Sequence, residues 1–238
     1  MSNAVAARQI VRICAIISVL VLAQLACAIG SPQPTATPNR TATAQARAAA
    51  TLEARLALVK PVLERYKIPS TQGRLAYYAS DPLDMYVDEY NTYVYNWIDD
   101  KNYSDFIYHT EVAWESTSGF AGCGIIFRSD GDIDAGEFYR FEIMRLQNAP
   151  AWQLYYYVNH DWRNLGWKFN NTIVDTLGGT NIITIIAKGA NLQAFVNDTK
   201  MIELDYNKLS KGLIAELVWQ ESGKTGCTFS NSWVWALK

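Results

Sequence analysis

Residues 120–145 read FAGCGIIFRSDGDIDAGEFYRFEIMR, two β-rich runs joined by a loop of acids and glycine. Successive side chains of a strand point to opposite faces. The residues that share an apolar face are Cys123, Ile125 and Phe127 in the first run and Tyr139, Phe141 and Ile143 in the second. The stretch therefore predicts a hairpin with one core face and one charged face.

The same pattern continues along the chain from about residue 77. Further β-rich runs are DFIYHTEVAWE, WQLYYYV, NIITIIAK, LQAFVN, MIELD, GLIAELVW and CTFSNSWVWAL. NIITIIAK and LQAFVN flank Lys188 to Asn191, a glycine-containing turn that predicts a hairpin. Many short strands with turn signals between them predict an all-β protein in which two antiparallel sheets stack. The long helical pattern precedes the strands, which excludes alternating β-α-β units.

The face opposite the core collects polar and aromatic side chains. Its expected members are His109, Glu111, Glu115, Arg128, Arg140, Glu142, Gln153, Tyr155, Tyr157 and Asn159, and the loop after them adds Trp162 and Trp167. Planar polar groups and exposed rings suit a sugar, and the six residues expected to bind a ligand are Arg128, Arg140, Glu142, Tyr155, Tyr157 and Trp162. The alternative is an ordinary solvated sheet face of cross-strand pairs.

The N-terminus predicts export. Arg8 and Arg12 flank the apolar run ICAIISVLVLAQLACA, the layout of a secretory signal, so residues 1–28 are expected to be a signal peptide or membrane anchor. QLAC resembles a bacterial lipobox that would place a lipid on Cys27. Cleavage after Ala28 or an uncleaved span are the other outcomes. Removing two arginines takes the net charge from −2 to about −4, and no basic stripe indicates nucleic acid.

Two segments separate this leader from the strands. Residues 29–48 are rich in Thr, Ala and Pro and are expected to be a disordered linker. Residues 49–67 carry an apolar stripe of helical spacing, formed by Leu52, Leu56, Val59, Leu63 and Tyr66. Pro61 predicts a kink or break near Lys60. The stripe either docks on the β-domain, the simpler expectation, or pairs with another copy of the chain.

The β-domain, expected over residues 75–238, contains two cysteines. Cys123 and Cys227 both fall on core-facing sides of their strands, and an even pair in an exported protein predicts a disulfide. Two free buried thiols are the alternative.

The motifs CGIIFRSDGDIDAGEFYRFEI, WQLYYYV and GGTNIITIIAKGANLQAFVNDTKMIELD, in this order, resemble the concanavalin A-like lectin/glucanase superfamily. In particular they resemble the laminin G-like and 3-keto-disaccharide-hydrolase-type jelly rolls of exported bacterial proteins. The resemblance covers a little over half the chain. It implies a jelly-roll sandwich of two antiparallel sheets, one of them concave and often presenting carbohydrate. It places residues 77–103 only as extra edge strands.

The resemblance carries no active site with it. Laminarinase-type members have Glu-x-Asp-x-x-Glu or Glu-x-Asp-x-Glu on one strand, and this spacing does not occur here. If the chain is an enzyme, the expected catalytic pair is Glu111 and Glu142, on one face with His109 beside them. Glycosidases need carboxyls about 5–9.5 Å apart.

A metal site is the less favoured interpretation of the acidic loop. Asp130, Asp132 and Asp134 resemble the start of a calcium loop, but Ala135 and Phe141 replace its glycine and its last ligand. No cofactor is expected, with calcium as the alternative. The function favoured by the sequence is non-catalytic binding of a glycan or cell-surface polymer by a membrane-tethered module. A glycoside hydrolase and a structural surface module are the alternatives.

Overall fold

The computed structural model describes residues 40–115, 119–146 and 149–238, with side chains described from residue 47 onward. The predicted leader, Cys27 and residues 29–39 of the predicted linker lie outside these ranges. The helix is α1 (Arg40–Arg65), and the strands are β1 (Gly73–Ala79), β2 (Leu83–Val87), β3 (Thr92–Trp97), β4 (Phe106–Trp114), β5 (Phe120–Ser129), β6 (Glu137–Leu146), β7 (Ala149–Val158), β8 (Asp161–Phe169), β9 (Thr180–Lys188), β10 (Asn191–Val196), β11 (Thr199–Asp205), β12 (Leu213–Gln220) and β13 (Thr225–Leu237).

The strands form two antiparallel sheets, as the alternating pattern predicted. The first sheet has the order β1-β13-β4-β9-β10-β11, and β2 also pairs with β13. The second sheet has the order β3-β12-β5-β6-β7-β8. Their inner faces share one apolar cluster, which includes Phe106, Phe127, Phe141 and Phe229. The predicted hairpin is confirmed, because Lys188 pairs with Asn191 across the turn between β9 and β10.

One segment differs from the sequence-based expectation, and another forms edge strands as the resemblance implied. Residues 161–169, expected to be a loop, form β8 at the edge of the second sheet. Within residues 77–103, β1 and β2 join the first sheet while β3 pairs with β12 at the other edge of the second. The second sheet is therefore wider than expected, with an aromatic-rich strand at each edge.

The disulfide prediction is confirmed, and it links the two sheets. Cys123 on β5 and Cys227 on β13 are bonded, with Cα atoms 6.1 Å apart and 104 residues between them in sequence. Both cysteines are fully buried in the apolar cluster. The assignment of both cysteines to the core face was therefore correct.

The helix begins at Arg40 rather than at residue 49, so residues 40–48 are helical and not linker. It continues through Pro61 without the expected break. From Leu56 onward its apolar stripe packs on the outer face of the first sheet, against Ile107 and Trp233 among others. From Leu56 onward the stripe therefore docks on the β-domain, which was the simpler expectation. Within the described residues, no helix is long and apolar enough to span a bilayer.

The predicted ligand-binding residues Arg140, Glu142 and Tyr155 lie on β6 and β7 of the second sheet, whereas the helix packs on the outer face of the first sheet.

Candidate functional site: a trough on the second sheet

A cavity of about 420 Å³ opens on the outer face of the second sheet. We call it the trough. It is lined by Asn91, Thr92, Tyr93, Arg140, Glu142, Tyr155, Trp162, Trp219 and Gln220. These residues come from strands β3, β6, β7, β8 and β12 and from the turn before β3, so the trough crosses most of the sheet.

Two glycines make room for the floor of the trough. Cys123 and Ile125 of β5 point into the core, so Gly122 and Gly124 face the trough. A Cβ atom at Gly122 would lie 2.3 Å from Nε1 of Trp219, and one at Gly124 would lie 2.8 Å from Cβ of Glu142. Any larger residue at either position would displace a side chain that lines the trough.

An ion pair lies at the centre of the floor. The Arg140 guanidinium donates to Glu142 Oε2, with Nε at 2.7 Å and a second contact from Nη2. Burial raises the pKa of Glu142, and the adjacent Arg140 opposes that rise. The pair has no net charge, and the other residues that line the trough are uncharged at neutral pH. The trough is therefore polar but electrically neutral.

Two indole rings flank the arginine. The Cζ atom of Arg140 lies 5.4 Å from the ring centre of Trp162 and 5.6 Å from that of Trp219, which is cation–π distance. Tyr155 contacts Trp162 edge to face at 5.2 Å. Trp162 is 45% exposed, so much of its ring remains available for contact. The trough thus combines a fixed polar floor with aromatic walls.

Gln220 offers a fixed acceptor beside this floor. Its Nε2 donates to the backbone oxygens of Glu89 and Gly223, each at 2.9 Å, and these bonds set the orientation of the amide. Its Oε1 has no partner among the described residues, although the atom is buried. Buried polar atoms are nearly always hydrogen-bonded, so this oxygen, which has almost no accessible surface, is an exception beside the trough.

Of the six expected ligand residues, four line the trough: Arg140, Glu142, Tyr155 and Trp162. Arg140 and Glu142 are more buried than a solvated face would require, at 7% and 1% exposure, because the indoles cover them. Tyr157 is buried, and its hydroxyl donates to the backbone oxygen of Asp134 at 2.5 Å. It lines a neighbouring cavity instead of the trough.

The expected position of Arg128 is wrong. Arg128 is fully buried, and its guanidinium donates to the backbone oxygens of Ser104, Gly189 and Leu209 at 2.8–3.1 Å. Its φ of +52° accompanies a β-bulge, since Leu213 pairs with Ser129 while Ile214 pairs with Phe127. The bulge interrupts the alternation of side chains. Arg128 therefore joins loops at the end of the sandwich and does not reach the trough.

The expected carboxylate pair is also separated. Glu111 lies on β4 in the first sheet, whereas Glu142 lies on β6 in the second. Each points to the outer face of its own sheet, because Val112 and Phe141 beside them point into the core. Stacked sheets lie about 10 Å apart, so the two carboxyls exceed glycosidase spacing. His109 does not join either of them; it is buried on the first sheet, stacked on Trp233.

The acidic loop uses its carboxylates internally. Asp130 accepts from the backbone N–H of Asp132 and Glu137, and Asp132 accepts from those of Asp134 and Ala135. Among the described residues, no group of three or more acids, histidines or cysteines is arranged to hold a metal ion.

Sequence reasoning missed Trp219, Gln220 and the residues from Asn91 to Tyr93. Trp219 had a signal, because it alternates with the core-facing Val218 in GLIAELVW. The Asn91–Tyr93 wall had none, since only the long-range pairing of β3 with β12 brings it to the trough.

No protein-family model matches this chain, and no curated protein matches it in sequence. Solved structures do match. The carbohydrate binding module CBM66 from Bacillus subtilis is 14% identical with a TM-score of 0.54, over 66% of this chain and 96% of its own. A functionally unknown protein from Saccharomyces cerevisiae is 13% identical with a TM-score of 0.49, over 71% and 98%. A β-glucanase from Bacillus licheniformis is 13% identical with a TM-score of 0.44, over 58% and 69%. The likeness to the first of these shows the fold, a jelly-roll sandwich of two antiparallel sheets.

Proposed function

We propose that the chain binds a neutral glycan in the trough and performs no chemistry on it. The observation that carries this proposal is the neutral Arg140–Glu142 pair held between the rings of Trp162 and Trp219. A sugar ring has hydroxyls at its edge and C–H groups on its faces. The fixed polar floor suits the first, and the aromatic walls suit the second.

Charge supports a neutral ligand over an acidic one. Arg140 is already bonded to Glu142, so it offers no unbalanced positive charge to a carboxylate or phosphate. The size is also suitable, because 420 Å³ lies within the roughly 300–1,000 Å³ of small-molecule sites. The structure with the similar fold from Bacillus subtilis is called a carbohydrate binding module. That name supports the same assignment.

The proposal includes the place where the protein works. A disulfide between Cys123 and Cys227 supports an oxidising, extracytoplasmic compartment. With the secretory-type leader of residues 1–28 and Cys27 as its lipid acceptor, the β-domain would be held at the outer face of the membrane.

Binding to an array of neutral oligosaccharides and polysaccharides tests the proposal. We expect Trp162→Ala and Tyr155→Ala each to weaken binding at least about 10-fold, because each removes a ring that would cover the sugar. Trp167→Ala is the matched control: Trp167 is 50% exposed on the same strand as Trp162 but lies outside the trough. No binding by the wild-type protein, or equal losses for Trp162→Ala and Trp167→Ala, would reject the proposal.

A further inference from the structure

A second cavity of about 280 Å³ adjoins the trough. We call it the apolar pocket. Its floor consists of side chains that are nearly inaccessible to solvent, namely Ile126, Ile133, Phe138 and Leu217. Its walls are the rings of Tyr93, Tyr157 and Trp162, and Asp134, Arg140 and His160 complete the lining.

The two cavities are adjacent and share three lining residues. Tyr93, Arg140 and Trp162 line both of them. Trp162 contacts Tyr155 of the trough and Tyr157 of the apolar pocket, with ring centres 5.2 and 4.6 Å away. A ligand in the trough that contacts the Trp162 ring is therefore next to the apolar pocket, because the same ring lines both cavities.

Some polar atoms of the apolar pocket already bond one another. The Tyr93 hydroxyl donates to the Asp134 carboxylate at 2.7 Å, and the Tyr157 hydroxyl donates to the Asp134 backbone oxygen. His160 Nδ1 lies 3.3 Å from the Tyr157 hydroxyl. This differs from the trough, where Gln220 Oε1 lacks a partner among the described residues. A hydroxyl of a second sugar ring placed at the Tyr93 or Tyr157 hydroxyl would compete with bonds already made.

An apolar group fits these surroundings better. The pocket has about twice the volume of an engineered apolar cavity of ~150 Å³ that takes up benzene. That is room for a chain of about six carbons. Burying each methylene of such a chain against the rings of Tyr93 and Trp162 and the side chain of Ile133 would favour binding by the hydrophobic effect.

We infer that the ligand is a glycan that carries an apolar substituent, an O-linked alkyl or acyl chain of about six carbons, with the sugar in the trough and the chain in the apolar pocket. The inference rests on the proposed function and narrows its substrate class. Ile133, on the loop between β5 and β6, lines the pocket and does not line the trough.

Titration with methyl and n-hexyl glycosides of glucose, galactose and mannose, followed by NMR, tests the inference. For at least one sugar we expect the hexyl glycoside to bind at least about 10-fold more tightly than the methyl glycoside. Ile133→Phe, which fills the pocket, should abolish that advantage and leave methyl glycoside binding unchanged. Leu177→Phe, at a position 70% exposed, is the matched control.

A second measurement requires no variant. In the wild-type protein, 1-hexanol should compete with the hexyl glycoside and leave methyl glycoside binding unaffected. Equal affinities for methyl and hexyl glycosides would overturn this inference and leave the proposed function standing. Failure of every glycoside to bind would overturn this inference, and the proposed function would fall with it only if the array of neutral oligosaccharides and polysaccharides also showed no binding.

Discussion

His109 is a buried histidine whose environment favours the neutral ring. Its imidazole stacks on Trp233 with ring centres 4.9 Å apart, and Nδ1 lies 2.9 Å from Thr184 Oγ1. Burial lowers its pKa to about 4, while Asp198 opposes and Arg65 reinforces that change. Protonating this ring therefore requires placing a charge inside the packing between helix and sheet.

This pKa gives the free energy of unfolding a defined pH dependence. The folded-state pKa of about 4 is below the unfolded value of about 6.5, so unfolding takes up a proton between these pH values. The stabilisation from neutral His109 is complete above pH 6.5 and is lost as the pH falls towards 4. The loss is about 3 kcal/mol.

Urea unfolding between pH 4 and 7 measures this loss. We expect His109→Gln, whose amide can still bond Thr184, to show a smaller decrease in stability on acidification than the wild-type protein. The same change at the exposed His160 should leave the decrease in place. An equal loss of stability in His109→Gln and in the wild-type protein between pH 6.5 and 4.5 would contradict the account of His109.

Strand β12 places a carboxylate inside the sandwich. Ile214 and Val218 point into the core, and Glu216 between them lies on the same face and is also buried, although it is a carboxylic acid. Its Oε1 accepts from Tyr108 Oη at 2.6 Å and from Ser232 Oγ at 2.5 Å. No salt bridge to Glu216 occurs among the described residues. Burial raises its pKa, and the two hydroxyl donors oppose that rise.

The sign of this pH dependence is opposite to that of His109. A carboxyl whose pKa is raised on folding stabilises the fold below the unfolded pKa of about 4.5, and that contribution is lost as the pH rises through the folded pKa. Glu216→Gln keeps an oxygen acceptor for both hydroxyls but cannot ionise. We expect it to be more stable than the wild-type protein at pH 8 by about 1 kcal/mol.

Urea unfolding at pH 5 and pH 8 checks the Glu216→Gln prediction, with Glu216→Ala as the comparison that leaves both hydroxyls without their acceptor. The alanine variant should be destabilised at both pH values. If the glutamine variant is less stable than the wild-type protein at pH 8 by as much as the alanine variant, ionisation of the buried Glu216 carboxyl does not destabilise the fold as proposed.

The alternation of side chains within each strand explains which parts of the site could be predicted from the sequence. Alternation correctly placed Arg140, Glu142 and Tyr155 on an outer face, because these positions lie within regular strands. It failed at Arg128, where a bulge with positive φ interrupts the period of two. It also grouped Glu111 with Glu142, since alternation tells inward from outward but not which sheet a strand joins.

At the scale of the whole molecule, the two outer faces have different uses. The helix packs on the first sheet through Val59 and Leu63, which are fully buried. The second sheet keeps its trough, whose walls come from edge strands β3 and β8. Two sheets, a docked helix and a disulfide could be predicted from local sequence patterns and from the alternation of side chains in strands. It did not predict the walls of the trough, because strand order depends on pairings distant in sequence.

The most direct test follows the indole N–H signals of the eight tryptophans by NMR as the best-binding neutral glycan from the array is added. Substituting each tryptophan in turn assigns the signals. The account predicts that Trp162 and Trp219, in the trough, shift strongly while Trp233 and Trp235, buried on the first sheet, do not. Shifts confined to Trp233 and Trp235, or no shift at Trp162 and Trp219 under saturating glycan, would contradict it.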